Sequence, residues 1–360
     1  MKLFDLHPKE NIADFFDREE ERQKLQDLVL QGRWVAVLGQ RMVGKSSLVK
    51  AALNEIEGQV QVIYINLWNA KTAEDMLEQL AIGIQNSKTL PQKIKDTVKS
   101  LVIVIGIKQL SVGIERRPLA TISNLFSIIG QTNNSTVVVL DEVQKLATFS
   151  KPLHEMLAKI FNTYSNMTFV LTGSMFGLMR SILHAKATAP MYGRTPVELR
   201  LEAFPDLIAK GFLKEGLEQY GMQVKTSEID EAVQTFGGIP GWLAIYGESR
   251  TVEGYEHAKA MKKTVSAASR IVREELYHFL VNKNIALYLA TLRAVVVPAR
   301  WSEIKKAVER ITNRSLNPRR FQEILNTLQD ALLIKQSGAV YMITDPMLKN
   351  VLLARDKEKI

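Results

Sequence analysis

The sequence predicts an α/β core on a parallel sheet, then a helical subdomain, then a C-terminal domain of three helices with a β-hairpin wing. Three observations carry this. From Trp34 to Leu171, short apolar or β-branched runs alternate with segments of helical spacing, the pattern of a parallel sheet covered by helices on both faces. After Leu201 the strand pattern stops and helical segments run to about Leu280. The remaining residues read as helix, helix, helix and two short β runs. The expected divisions are 1–200, 201–280 and 281–360. A chain of 360 residues is long enough for such parts at roughly 100–200 residues per domain.

The elements follow in order. Trp34–Leu38 is a short apolar run that reads as a buried strand, and Ser46–Ile56 follows as a helix. Val60–Leu67 is rich in β-branched residues and reads as a strand. Thr72–Gln85 is a helix with Met76, Leu77, Leu80 and Ile84 on one face. Leu101–Ile107 and Gln109–Ile114 suggest a hairpin inserted on the core. Thr136–Leu140 is an apolar strand, Lys151–Tyr164 a helix and Met167–Leu171 a strand. Asp206–Tyr220 and Ser227–Phe236 are helices, followed by the turn Gly237-Gly238-Ile239-Pro240-Gly241.

In the last part, Ile285–Leu292 reads as one helix and Ser302 as the cap of a second, Glu303–Arg310. Asn317 caps a third, with Pro318 at its first position, where a missing N–H costs nothing. Phe321, Ile324, Leu325 and Leu328 form its buried face. Leu332–Lys335 and Ala339–Ile343, joined by Gln336-Ser337-Gly338, make the wing. That order is a winged helix, a variant of the helix-turn-helix. On the alternative reading, in which the winged helix packs on the core or binds protein, Pro346 to Leu353 continues as a docking helix.

The chain has no cysteine, which excludes a disulfide scaffold, a cysteine zinc site and a cysteine nucleophile. The five histidines (His7, His154, His184, His257, His278) lack metal-ligand spacing. The first residues show no signal peptide, and the longest apolar stretch is far short of the roughly 20 residues of a membrane helix. The expected location is cytoplasmic, with no membrane partner. The net charge is +9, and residues 281–360 carry 14 Lys and Arg against 7 Asp and Glu. A basic terminal domain points to a polyanionic partner such as nucleic acid, against the plainer reading of a solvated surface.

The chemistry begins at Gly39-Gln40-Arg41-Met42-Val43-Gly44-Lys45-Ser46, which fits G-x-x-x-x-G-K-[ST] with a strand before it and a helix after it. Glycines let backbone N–H groups curl toward phosphate oxygens, and the helix start adds its positive dipole end. Lys45 reaches the β- and γ-phosphates, Ser46 ligates Mg²⁺, and Ser47 follows in the same nucleotide-binding stretch. The fold is therefore expected to be a P-loop NTPase core. About a hundred residues on, Val137-Val138-Val139-Leu140 ends in Asp141 and Glu142, a Walker B pattern. Asp141 is expected to hold Mg²⁺ and Glu142 to deprotonate the attacking water, with the two motifs on neighbouring parallel strands. The next strand ends in Leu171-Thr172-Gly173-Ser174, so Thr172 or Ser174 is a candidate to sense the γ-phosphate, against the plainer reading of Ser174 as a helix N-cap. Arg18 and Arg194 are candidate phosphate contacts, in cis or in trans, against a structural ion pair for each. No guanine-recognition motif is present, which favours ATP and ADP.

With these residues, the chain resembles the archaeal-type ATPase family, within the AAA+/STAND group of P-loop NTPases. The resemblance rests on Phe16-Asp17-Arg18-Glu19 with Leu25, the phosphate loop, Leu140-Asp141-Glu142-Val143-Gln144, Thr172-Gly173-Ser174, Tyr192-Gly193-Arg194, Gly238-Ile239-Pro240-Gly241 and Thr344-Asp345-Pro346. It implies that the segment around Phe16–Arg18 lies near the adenine, and that Pro240, in a turn of the helical lid, packs on the base. No sensor arginine stands in Gly238–Leu243. The resemblance also implies a nucleotide-driven switch whose output is the winged helix.

If the wing binds double-stranded DNA, the third helix enters the major groove. Arg319, Arg320, Gln322, Asn326 and Thr327 then lie off its apolar face, and Lys305, Lys306 and Arg314 add phosphate contacts. Two functions follow from the sequence. One is an ATP-hydrolysing molecular switch acting on DNA. The other is a nucleotide-holding signalling or scaffold protein whose winged helix docks on a protein partner, or on a second copy by self-association.

Overall fold

Alternating apolar strands and amphipathic helices build the first of two units into which the chain divides in this computed structural model. The structure describes residues 2–105, 118–173, 178–281 and 283–354. The first unit comprises Pro8–Gly39 and Lys45–Leu201. In chain order its elements are α1 (Glu19–Leu30), β1 (Val35–Leu38), α2 (Lys45–Glu55), β2 (Gln61–Asn66), α3 (Ala73–Asn86), α4 (Gln92–Ile105), α5 (Pro118–Gly130), β3 (Thr136–Asp141), a 3-10 segment over Val143–Phe149, α6 (Ser150–Thr163), β4 (Met167–Gly173), α7 (Leu178–Leu183) and β5 (Val197–Arg200).

All five strands are parallel, in the order β2-β3-β4-β1-β5. β3 and β4 are buried at every residue, as strands covered on both faces must be, whereas the edge strand β2 is buried only at every second residue. Trp34, Phe126 and Phe169 form an aromatic group in the core, and the Trp34 indole N–H donates to the Met167 carbonyl at 3.1 Å. α3 begins at Ala73 because Thr72 caps it. The Thr72 hydroxyl accepts from Asp75 N–H while the Asp75 carboxylate accepts from Thr72 N–H.

Two expectations are corrected here. Leu101–Ile105 is not a strand of a hairpin but the end of α4; residues 109–114 lie outside the described residues. Ile94 and Val98, four apart and buried, continue a helical face into the apolar run. The phosphate-loop strand β1 and the acidic strand β3 are not neighbours, because β4 lies between them.

The second unit comprises the segment up to His7, Gln40–Gly44 and the chain from Glu202 on. Its elements are α8 (Asp206–Glu218), α9 (Thr226–Phe236), α10 (Pro240–Thr251), α11 (His257–Leu280), α12 (Ile285–Ala294), β6 (Ala299–Arg300), α13 (Trp301–Thr312), α14 (Pro318–Asp330), β7 (Ile334–Ser337), β8 (Val340–Ile343) and α15 (Pro346–Leu353). Phe4 is fully buried between Gly216 of α8 and Gly247 of α10, edge-on to Phe212. The strands β6, β8 and β7 form a small antiparallel sheet beside α12, α13 and α14, a winged-helix arrangement.

The wing departs from expectation in two details. The second helix starts at Trp301, so Ser302 is inside it; the Glu303 carboxylate accepts Arg300 N–H at 2.7 Å and fixes that start. The hairpin turn is Gly338-Ala339, because Ser337 pairs with Val340. Asn317 caps α14 as its sequence requires, accepting from Arg319 N–H and Arg320 N–H.

α15 packs on α9, α11 and α12. Pro346 closes on Gly237, where a Cβ would lie 2.5 Å from the proline ring. Gly237 and Gly238 both take left-handed backbone, with φ of 64° and 71°, which any other residue adopts only at a cost. Asp345 caps α15 by accepting Met347 N–H at 2.7 Å. Burial pushes the Asp345 carboxyl up to about 6, although the backbone N–H groups of Met347 and Leu348 and the Trp242 indole pull the other way. A raised carboxyl pKa favours the folded chain fully below the ordinary value near 3.8 and loses that benefit as pH rises through 6. Asp345→Asn keeps a capping oxygen and removes the buried charge. It should therefore stabilise the chain by on the order of 3 kcal/mol at pH 7.5 and by well under about 1 kcal/mol at pH 4, as read by urea unfolding at the two pH values. Among the described residues, no helix is long and apolar enough to cross a membrane.

Candidate functional site

The tips of β3 and β4 and the start of α2 converge on one carboxylate. The Ser46 hydroxyl donates to Asp141 at 3.0 Å from Oδ1 and 2.9 Å from Oδ2. The Tyr64 hydroxyl, reaching from β2, donates to Oδ2, and the Thr172 hydroxyl, from β4, donates to Oδ1. Asp141 and Thr172 are buried. Burial first, and then the Asp141 charge, hold the Tyr64 phenol well above its usual range, so it remains a donor. The register explains Thr172: β4 lies between β1 and β3, with Thr172 beside Val37 and Leu171 beside Leu140. Its oxygen also accepts Glu142 N–H at 3.0 Å, so one hydroxyl ties both acids of the strand end.

Glu142 sits in left-handed backbone, φ 63°. The Gln144 amide donates to its carboxylate, and Gly173 leaves room for the Gln144 side chain, since a Cβ there would meet Gln144 Oε1 at 2.1 Å. That Oε1 is buried and has no hydrogen-bond partner among the described residues. Lys45 is buried, and its ammonium donates to the Gly39 carbonyl at 2.9 Å. Ser47 accepts Lys9 N–H at 3.1 Å.

The loop between Gly39 and Lys45 turns through positive φ, which strains Met42 but not Gly44. Met42 has φ 64° and Gly44 φ 98°. The Met42 carbonyl accepts Gly241 N–H, at the start of α10, at 2.9 Å. A Cβ on Gly241 would stand 2.6 Å from the Met42 Cβ and 3.0 Å from its carbonyl oxygen. Pro240 is therefore the first residue of a helix whose second residue holds the loop. Among the described non-glycine residues, positive φ occurs at Asp17, Arg18, Met42, Glu142, Asn313 and Leu332. The first four fall in segments that the sequence marks for nucleotide, where stored backbone strain most often serves function.

Other expected residues stand apart from the Asp141 cluster in their contacts. Arg18 is buried at the start of α1 and pairs with Glu21 at 2.8 Å; Phe16 is half-buried two residues earlier. Arg194 donates to Asn162 Oδ1, to the Pro190 carbonyl and to the Tyr192 carbonyl. Ser174 lies outside the described residues. In the lid, Arg250 is buried and paired with Glu228 at 2.7 Å, which occupies the one arginine of α10. In the winged helix, Lys305 pairs with Glu309 and exposed Arg319 with Glu323, while Gln322 donates to Asn326. Lys306, Arg314 and Arg320 are exposed.

Sequence reasoning missed Tyr64, Gln144 and Gly241. The last two stand in the motifs Leu140–Gln144 and Gly238–Gly241 without a role of their own, and only Tyr64 left no signal.

The donor set around Asp141 suits Mg²⁺. It is all oxygen, and the Ser46–Asp141 spacing of 2.9–3.0 Å is that of neighbouring corners of an octahedron with bonds of about 2.1 Å. Residues 15–245 match a family model described as an ATPase domain predominantly from Archaea. The chain belongs to this family of ATPases. A solved relative, the Walker-type ATPase PABY2304 of Pyrococcus abyssi, is 29% identical with a TM-score of 0.75, over 97% of this chain and 99% of that one. The ORC2 protein of Aeropyrum pernix, solved as ADPNP-ADP complexes, is 15% identical with a TM-score of 0.64, over 97% and 96%. That likeness shows a shared fold. No curated protein matches the chain at a significant level. The ATPase is thus a P-loop protein with a five-stranded parallel core, a helical lid and a winged-helix-like C-terminal part.

Proposed function

We propose that this ATPase hydrolyses ATP to ADP and phosphate at the Asp141 cluster and passes the state of its phosphate loop to the lid. The observation that carries the reading is the carboxylate of Asp141 gripped by Ser46, Tyr64 and Thr172, with Glu142 next to it. Mg²⁺, when bound, supplies charge neutralisation at the β- and γ-phosphates, and Ser46 and Asp141 would hold it. Lys45 exchanges the Gly39 carbonyl for phosphate oxygens. Glu142, held by Gln144, takes a proton from water as that water bonds to the γ-phosphorus and the bridging oxygen leaves on ADP. Thr172 keeps Asp141 and the Glu142 backbone in one arrangement. Arg18, Phe16 and Arg194 are proposed as further nucleotide contacts, Arg194 after release from Asn162.

The lid reports occupancy through Met42. Its carbonyl is bonded to the helix that begins at Pro240, so a loop that reshapes around phosphate must carry that helix or break the bond. The winged helix is the proposed output, on double-stranded DNA, through Arg314, Arg319, Arg320 and Lys306.

Two measurements test this. Mn²⁺ binding in the presence of ADP, followed by electron paramagnetic resonance, should weaken about tenfold in Tyr64→Phe, the usual size of a lost partner behind a metal ligand. Unchanged Mn²⁺ affinity would show that the Tyr64 hydroxyl does not support a metal ligand. Duplex binding by the ATPase should fall steeply with salt, and more gently in Arg319→Gln/Arg320→Gln, by about 0.9 in log–log slope for each lost contact. Binding that is flat in salt, or a double variant equal to wild type, leaves the wing to protein contact.

A further inference from the structure

We infer that the exposed face of the long lid helix α11 is a second surface for the phosphate backbone of double-stranded DNA, separate from the winged helix. Lys259, Lys262, Lys263, Ser266, Ala267 and Arg270 line a groove of about 440 Å³ on that helix. The positions recur at intervals of three and four residues, so they share one face. All four cations are exposed. The run His257–Arg273 contains five Lys and Arg and no Asp or Glu.

Three physical arguments point to nucleic acid. First, like charges three and four apart on a helix destabilise it, by roughly 0.2–0.5 kcal/mol per pair. A face built this way gains its benefit from something outside the helix. Lys263 offsets part of the repulsion by pairing with Glu253, and Lys259 sits 3.9 Å over the Tyr255 ring. Lys262 and Arg270 have no hydrogen bond or ion pair among the described residues. Second, the winged helix is less available than its charge suggests, because Lys305 and Arg319 are paired with Glu309 and Glu323 on their own helices. The α11 face carries no such acids along its basic run.

Third, the shape and composition fit a phosphate ridge. From Lys259 to Arg270 the face spans about 16 Å at 1.5 Å per residue, enough to meet several phosphates of a duplex that carries a charge about every 1.7 Å of axis. Ser266 and Ala267 keep the middle low, so the backbone of the ligand can approach. A membrane surface would call for large apolar residues among the cations, and the lining of this groove has none.

The test uses the full chain and a labelled duplex of arbitrary sequence, about 30 base pairs long, with anisotropy read over a range of NaCl. The variant Lys259→Gln/Lys262→Gln/Lys263→Gln/Arg270→Gln should lose tenfold or more in affinity at about 100 mM NaCl and flatten the log–log salt slope by roughly 2–4. Glutamine keeps the helix nearly as well as lysine, so circular dichroism and ADP binding should match wild type. The charge-keeping variant Lys259→Arg/Lys262→Arg/Lys263→Arg should bind as wild type does. Wild-type affinity and slope in the glutamine variant would overturn the inference, as would loss of binding in the arginine variant. Vesicles with about one-third phosphatidylserine, bound by wild type and released by the glutamine variant with duplex binding intact, would reassign the face to lipid. The wing is scored separately: if Arg319→Gln/Arg320→Gln binds as wild type, the wing reading fails and the α11 surface stands.

Discussion

Glu142→Gln should bind ATP as tightly as wild type and lose turnover by about 10²–10⁴-fold, the range of a positioned general base. The side chain is isosteric, and its oxygen can still accept from the Gln144 amide, so the local structure should persist. The buried Gln144 Oε1, without a partner among the described residues, remains an acceptor beside it. Phosphate release and equilibrium binding of labelled ATP, measured on the same preparation, separate the two effects. A variant with wild-type phosphate release would mean that another group takes the proton. A variant that no longer binds ATP would mean that the left-handed turn at Glu142 is structural first.

Gly241→Ala should weaken ADP binding by up to about a hundredfold. The new Cβ would fall 2.6 Å from the Met42 Cβ and 3.0 Å from its carbonyl, and overpacking of that kind costs about 1–3 kcal/mol. The strain lands on a loop already held at φ 64° at Met42. Met42→Gly removes both the side chain and the penalty for positive φ, so the double variant Gly241→Ala/Met42→Gly should recover most of the affinity. Isothermal titration with ADP on the single and double variants reads this directly. Wild-type affinity in Gly241→Ala would show that α10 does not constrain the phosphate loop, and the proposed line from nucleotide to lid would be lost.

The parts of the site carried by contiguous sequence were legible. The phosphate loop needs its glycines, lysine and serine within eight positions, and the β-branched run Val137-Val138-Val139 before Asp141 reads as a buried strand. The winged helix was legible for the same reason, since Asn317, Pro318 and the Phe321–Leu328 spacing act locally. Strand order was not. Periodicity says which segments are strands and not which lie side by side, so the placement of β4 between β1 and β3, which brings Thr172 onto Asp141, needed the structure. Tyr64 stands 77 residues from the carboxylate it grips and reads in sequence as one more β-former. The apolar run at Leu101 was ambiguous because seven residues fit a strand or a helical turn equally; the buried Ile94 and Val98 before it decide for helix. The short β5 escaped because two of its four residues are charged, Glu198 and Arg200, as suits an edge strand. On α11 the basic run was visible in sequence, but net charge counted over the last 80 residues looks past it.

Phosphate release by the wild-type chain, measured with saturating ATP and with or without Mg²⁺, tests the central claim most directly. The account predicts many turnovers per chain that stop when EDTA is added, and about 10²–10⁴-fold slower release from Glu142→Gln under the same conditions. ATP bound stoichiometrically by the wild type, with no phosphate released above the rate in buffer, would contradict it.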